Sequence, residues 1–554
     1  MSTCNPFYLT ILAIMSLTAA CTKTEEIIPP ASESVAPSAV SAVIGEVSFD
    51  TSCVPEVRGE FDAAVAMLHS FEFDESRRMF EDIAVEEPNC AMAHWGIAMT
   101  YYHPLWAPPA VEELSRGAAA VAMARGKATR ATTRELLFIE AIGIFFDYTD
   151  GSPHRERARR YEEAMALAFE ANPMDLETQI FYLLARLSNA DPTDKTYATQ
   201  DRIGAVLEQL FIEMPNHPGV AHYIIHSYDY PDIADRAVHA ADRYLEIAEA
   251  MPHALHMSGH IYTQLGMWDR SIHANILSVD AAVERAEMFG LGEGTQNELH
   301  ALDYLVYGYL QQGEDDKAQA IVDRVLSFKE LNLNNGVIVF NYSAVPVRYA
   351  MERHDWETAA QLPILTEVDA TGGNDQLMNA VALRYWARVI GAARSDKLEQ
   401  AEVELVELEK IAVAMPQDGR VWGRNTSEVF RLQAASWLAL AKGERNRAEE
   451  LMRVAAGLED QTDKSSISPG RVLPAHEQLG DLLAELDRPQ EALAAYEESL
   501  THAPGRFNTY LGAARAADAA GKTAIARDYY EKLLEVVSDQ GDRPEIAEAR
   551  AAID

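Results

Sequence analysis

Two His-x-x-x-His pairs stand 34 residues apart, His222 with His226 and His256 with His260. Thirty-four residues is the period of a two-helix repeat, and residues four apart share one face of a helix. The two pairs therefore fall at the same place on neighbouring repeats, which confines the chain to stacked helix pairs. Nine of the sixteen histidines lie between His217 and His300, and this stretch marks the candidate active surface.

The same period returns near the C-terminus, where Ala492, Tyr496 and Ser499 recur as Ala526, Tyr530 and Leu533. Gly480 opens the first of these copies and Pro504 closes it. Phe61 to Pro88, with Ala64, Ser76 and Phe80, fits the same pattern. So do Gly266-Met267-Trp268 with Ser271, Gly313 with Ala318, Trp356 with Ala359, and Gly443 with Ala448. Small residues let antiparallel helices approach, an aromatic fills the gap between pairs, and Pro ends a helix. The pattern resembles the tetratricopeptide repeat (TPR), over about nine tenths of the mature chain. That resemblance implies an all-α solenoid of helix-turn-helix units, a right-handed superhelix of roughly eleven pairs, like that of bacterial TPR lipoproteins. Phe289-Gly290-Leu291-Gly292-Glu293-Gly294 breaks the period once. Asp369-Ala370-Thr371-Gly372-Gly373-Asn374 breaks it again and is expected to divide an N-terminal array (53–370) from a C-terminal one (371–554). A long loop, Asp460 to Gly470, precedes the last repeats.

Residues 1–20 read as a signal peptide, with an apolar run from Phe7 to Leu17 and small residues before Cys21. The stretch Leu17-Thr18-Ala19-Ala20-Cys21 resembles a bacterial lipobox, although Thr18 replaces the usual Leu and no Lys or Arg precedes the apolar run. The resemblance implies lipidation of Cys21, a flexible tether over 21–52, and a place on the periplasmic face of the outer membrane. Cys53 and Cys90 are the other cysteines beyond the leader; an oxidising compartment permits a disulfide between them, two separate thiols being the alternative. The formal net charge of −39 repels phosphate backbones and anionic headgroups. Nucleic acid is thereby excluded as a partner, and membrane contact is left to the lipid anchor. A protein, a peptide or a small ligand remains.

In the TPR family the first helix of each repeat lines a concave groove. Asp232, Gly266, Gly313 and His354 mark the turns between helices. Six residues before them stand His226, His260, Tyr307 and Arg348; ten before, His222, His256, Asp303 and Ala344; thirteen before, Gly219, His253, His300 and Asn341. Four neighbouring repeats thus aim these side chains at one space. His69 and His103, also 34 apart, form a second in-phase pair.

Three readings of this surface stand side by side. In the first, His222, His226, His256 and His260 ligate Zn, Cu or Fe, with Asp303 as a fifth ligand or as a carboxylate orienting one of them. In the second, His253, His300, Tyr307, Arg348 and His103 bind a peptide, a partner segment or a small ligand, Arg348 pairing a carboxylate bidentately. In the third, the histidines satisfy one another and water. A metallopeptidase needs Glu directly after the first His, whereas Tyr223 follows His222 and Met257 follows His256. No nucleophile elbow, phosphate loop or dinucleotide fingerprint occurs, so no catalytic residue is assigned. His94, His154, His217, His239, His273, His354, His476 and His502 read as surface or packing residues. The leading expectation is a membrane-anchored scaffold that binds in its groove, with a metal-binding protein or metal-dependent enzyme as the alternative. If Cys21 carries the lipid, Cys21→Ser releases the protein from the membrane fraction; continued retention on fractionation contradicts the anchor.

Overall fold

The computed structural model describes residues 44–554 apart from 106–107, 150, 367, 369–373, 417–420 and 465–466. The leader, Cys21, most of the tether and the glycine break at 369–373 lie outside the described residues. Among the described residues 25 α-helices follow one another without a strand, as twelve consecutive pairs and a closing helix, Pro544–Ile553. Each helix packs on the next in unbroken order. This is close to the roughly eleven pairs expected; long connections obscure the period in places. Eleven residues (100–110) separate Ala91–Met99 from Val111–Lys127, and nine (189–197) separate Leu176–Ser188 from Ala198–Glu213. None of the described helices is long and apolar enough to cross a membrane.

A residue in the left-handed region closes the turn within most pairs: Phe71, Gly266, Gly313, His354, Asp396, Gly443, Asp487 and Gly521. Three of the four turn markers in the sequence belong to this set. The fourth, Asp232, sits instead in a longer connection that includes the 3-10 segment Ala234–Ala237.

The chain is an all-α solenoid of stacked helix pairs, and it closes on itself. From the N-terminal side, the turn Ser70–Glu72 enters the inner curve of the middle pairs. Tyr244 Oη donates to Ser70 Oγ at 3.2 Å, the His253 N–H donates to Glu72 Oε1 at 3.3 Å, and Arg285 pairs with Glu75 at 2.5 Å. From the C-terminal side, residues 460–464 and 467–472 and the last pairs return over the same region. Lys464 Nζ reaches Asp229 at 2.9 Å. Trp268 Nε1 donates to the Gly505 carbonyl at 2.8 Å, and the Ser538 N–H donates to the Gln312 carbonyl at 3.1 Å. A Cβ on Gly266 would stand 3.0 Å from Gly505 Cα, so the approach is backbone against backbone and the left-handed turn there needs glycine. The groove expected to lie open along these repeats is therefore filled by the protein's own chain. The sequence marks the 460–470 loop but carries no local signal for where it folds.

Cys53 and Cys90 are joined in a disulfide with their Cα atoms 5.0 Å apart. It ties the segment before the first pair to the start of helix Ala91–Met99. Closing a loop of 37 residues removes about 4 kcal/mol of unfolded-chain entropy in the loop model. Cys53→Ser with Cys90→Ser should therefore speed amide hydrogen exchange in Arg58–His69 and Ala91–Met99 while leaving Thr523–Val536 unchanged; equal exchange in both regions would show that the clip is not the local restraint.

Candidate metal centre

Three helices carry the histidines, and local signals fix where each begins. Pro218 and Pro252 occupy the first turn of Pro218–Tyr228 and Pro252–Gln264, where a missing N–H is harmless and φ is preset. Thr295 caps Gln296–Gln311 by accepting the Glu298 N–H at 3.4 Å. These matched starts put His222 and His226 on the inner face of one helix and His256 and His260 on that of the next. Ring centroids are 4.8 Å apart in each pair.

Six imidazoles gather as two triads. One nitrogen from each of His222, His226 and His253 lies within 4.8 Å of the other two, and the same holds for His256, His260 and His300. The triads adjoin, with the rings of His253 and His256 6.3 Å apart. His226 is half-buried, and the other five are at most 4% exposed.

Neighbouring groups fix the tautomers. His222 Nδ1 donates to the His69 carbonyl at 2.7 Å. His256 Nδ1 faces Asn275 Oδ1 at 2.7 Å, and Asn275 Nδ2 donates to the Ser271 carbonyl at 2.8 Å, so the amide oxygen must be the atom facing the ring. Gly259 permits this contact, because a Cβ there would overlap the Asn275 amide. His260 Nδ1 donates to Asp229 Oδ2 at 2.8 Å, and His300 donates to the backbone of Ile467. These four rings are left with a lone pair on Nε2, directed into the chamber. The Nε2 atoms of His222, His226 and His300 have no hydrogen-bond partner, and those of His256 and His260 face each other at 2.9 Å.

Burial lowers the pKa of all six imidazoles, His222 to about 3; neighbouring imidazoles reinforce the effect in five, and Lys464 does so at His260, where Asp229 opposes it. The chamber is thus a cluster of neutral nitrogen donors at physiological pH. Burial works to raise the Asp229 carboxyl, but Lys464 and His260 together hold it below the ordinary carboxylate range. Phe71 walls the first triad, its ring centroid 4.4 Å from His222 and 5.8 Å from both His226 and His253. Tyr304 borders the second, its hydroxyl 3.2 Å from His260 Nε2 and 3.3 Å from the Ser468 carbonyl.

The structure divides the other sequence-derived candidates differently. His253 and His300, grouped in the sequence with the organic-ligand residues, complete the two triads. Asp303 does not join them: its carboxylate pairs bidentately with Arg348 at 3.0 and 3.1 Å, both side chains fully buried. The reason is position along the helix: Asp303 and Tyr307 lie one and two turns beyond His300 on the same face, where Arg348 and Arg506 engage them, while Tyr304 borders the second triad. Arg348 is consequently engaged within the protein, and Tyr307 Oη accepts from Arg506 at 3.0 Å, which also pairs with Glu352 and Glu477. His103 stands apart, its ring packed on Phe73 at 4.8 Å. His69 instead joins Glu177 and His217, each imidazole 3.0 Å from the shared carboxylate, and takes Tyr223 Oη at 2.8 Å on its other nitrogen. That network is internally satisfied. His217 is therefore, of the two expected roles, a buried packing residue. The spacing could have given Tyr304, as the i+4 partner of His300; Asp229, Asn275, Phe71 and Lys464 carry no such signal.

No family model matches the chain, and no curated protein matches it. Among solved structures, a tetratricopeptide repeat protein from Parabacteroides merdae is similar at 12% identity, covering 55% of this chain and 97% of that one with a TM-score of 0.27. Yeast Tom70 is similar at 10% identity, covering 89% and 95% with a TM-score of 0.33. The APC/C hetero-tetramer Cut9–Hcn1 is similar at 10% identity, covering 90% of each chain with a TM-score of 0.30. The repeat architecture stands on this chain's own helix pairs.

The buried ion pair yields a direct check. Arg348→Met leaves the Asp303 charge buried without its partner, a loss of about 3–5 kcal/mol. Adding Asp303→Leu removes that charge and should recover most of the loss in chemical denaturation. No recovery in the double variant would mean that Asp303 serves something other than Arg348.

Proposed function

We propose that this protein is an exported, metal-binding repeat protein in which His256, His260 and His300 hold a late first-row transition ion. One observation carries the reading. His256 and His260 each commit Nδ1 as a donor, to Asn275 and to Asp229, while their Nε2 lone pairs oppose each other at 2.9 Å. Two opposed lone pairs in a dry chamber repel, and His300 adds a third unpartnered Nε2. A cation shared by the three nitrogens turns that repulsion into three bonds. With metal–nitrogen bonds of about 2.0 Å the nitrogens would stand roughly 3.3–3.5 Å apart, between the 2.9 Å of the facing pair and the 4.8 Å that bounds the triad. A proton between the two nitrogens is disfavoured, because burial opposes the charged form of both rings.

The surroundings suit a metal site in a second way. Ligating histidines characteristically donate their other N–H to a carboxylate, a carbonyl or another acceptor, which fixes ring orientation and raises basicity. Asp229, Asn275 and the Ile467 backbone stand in those roles. Neutral imidazoles suit Zn²⁺, copper and Fe²⁺. The Tyr304 hydroxyl stands 3.2 Å from His260 Nε2.

The Cys53–Cys90 disulfide supports an oxidising compartment. With the leader, it favours a protein anchored through Cys21 on the periplasmic face of the outer membrane. The repeat frame is a scaffold whose remaining surfaces are available to a protein partner. A peptide laid along the inner curve at Tyr307 and Arg348 would compete with the chain's own residues 460–464 and 467–472, which is why the ion is the preferred occupant of this region.

Protein prepared without a polyhistidine tag should contain a stoichiometric transition metal by elemental analysis, and His256→Ala should lose it. An ion present at a thousand times its Kd stabilises the fold by about 4 kcal/mol, so a chelator should lower Tm. Metal-free protein whose Tm responds neither to chelator nor to added zinc or copper overturns the reading.

A further inference from the structure

Resting on that reading, we propose that the chamber holds two ions, the second on His222, His226 and His253, and that this second site selects monovalent copper. The first triad repeats the design of the second. It takes its imidazoles from two neighbouring helices, an i,i+4 pair on Pro218–Tyr228 and His253 on Pro252–Gln264. Its nitrogens gather within the same 4.8 Å, and His222 has its Nδ1 pinned by a backbone carbonyl at 2.7 Å. The Nε2 atoms of His222 and His226 are buried and lack a hydrogen-bond partner. His253 and His256 lie on one helix with rings 6.3 Å apart, so two ions would share one chamber.

The two triads differ in what stands beyond the nitrogens. Beside the second is the Tyr304 hydroxyl, an oxygen that a four-coordinate ion can use. Beside the first is the Phe71 ring, packed against all three histidines and offering no donor. Zn²⁺ requires a fourth ligand, so the walled triad serves it poorly. Copper(I) is satisfied by three nitrogens in a plane. Charge argues the same way. Neither triad contains a carboxylate, and Asp229, the carboxylate bonded to His260, is already paired with Lys464. Two buried dications would bring four uncompensated charges into the chamber, whereas two monovalent ions bring half as many.

The experiment is an anaerobic titration of the full exported chain, untagged and metal-free, with copper(I) held by a competing chelator, and in parallel with Zn²⁺. Two copper(I) ions per chain are expected, but one Zn²⁺. His222→Ala should remove one copper(I) and leave the Zn²⁺ stoichiometry unchanged. His226→Gln, at the half-buried member of the triad, should do the same if His222→Ala fails to fold. A single copper(I), lost in His256→Ala and untouched by His226→Gln, overturns the second site while leaving the first standing. Two Zn²⁺ per chain overturns the copper selectivity. No binding of either metal removes both readings together.

Discussion

The closing of the array on itself is the constraint from which the rest of the structure follows. An open TPR-type groove would leave the inner-face histidines in water, where imidazoles hydrogen-bond to solvent and titrate near their ordinary value. Here the turn Ser70–Glu72 enters from one side and residues 460–464 and 467–472 from the other. Phe71, Tyr304 and backbone carbonyls pack around the rings. Burial then makes the imidazoles neutral, and the carbonyl of His69, the Asn275 amide and the Asp229 carboxylate decide which nitrogen of each ring keeps its proton. The donor character of the chamber is thus a product of closure.

Closure also separates two kinds of polar interior. On one side stand neutral imidazoles with outward lone pairs. On the other runs a belt of fully formed ion pairs, Asp303 with Arg348 and Arg506 with Glu352 and Glu477. Breaking one member of such a pair is costly, so the belt fixes register between the middle and C-terminal pairs. Tyr307 lies between them, under Arg348 and bonded to Arg506. The acidic side chains near the chamber are largely neutralised by their own cations. The excess negative charge of the chain is left to the outside, where it keeps the protein soluble and attracts cations.

The helix pairs were legible in the sequence because they are local. Small residues, aromatics and prolines recur at fixed offsets, and the left-handed turns at Gly266, Gly313 and His354 fall where the spacing marks them. The histidine face was legible for the same reason, since i,i+4 pairs on helices begun by Pro218 and Pro252 must share a side. The same offsets on the third helix, His300, Asp303 and Tyr307, fall within about 60° of one face at roughly 100° per residue, but Asp303 and Tyr307 stand one and two turns beyond His300, where Arg348 and Arg506 from other pairs engage them. Nothing in the sequence predicts that Phe71 should leave the favoured backbone region, φ 58°, to wall a pocket built by helices some 150 residues later. Nor does it show that Lys464 should reach Asp229, 235 positions away.

Those two distances carry a consequence for assembly. The nitrogens themselves come from one stretch of the chain, and the first helices of three successive pairs bring them near one another as the middle pairs stack. Their orientation comes from elsewhere. His222 is set by a carbonyl 153 positions before it, and Asp229, which sets His260, is itself held by Lys464 from the C-terminal loop. Pairing contacts of such sequence separation form late, after loop-closure entropy has been overcome. The contacts that gather the donors are therefore short-range in sequence, and those that orient their rings are long-range. A ligand that prefers neutral, oriented nitrogens favours the closed array over the open one by the difference in its affinity for the two, so occupancy of the chamber and docking of the two chain ends are one equilibrium.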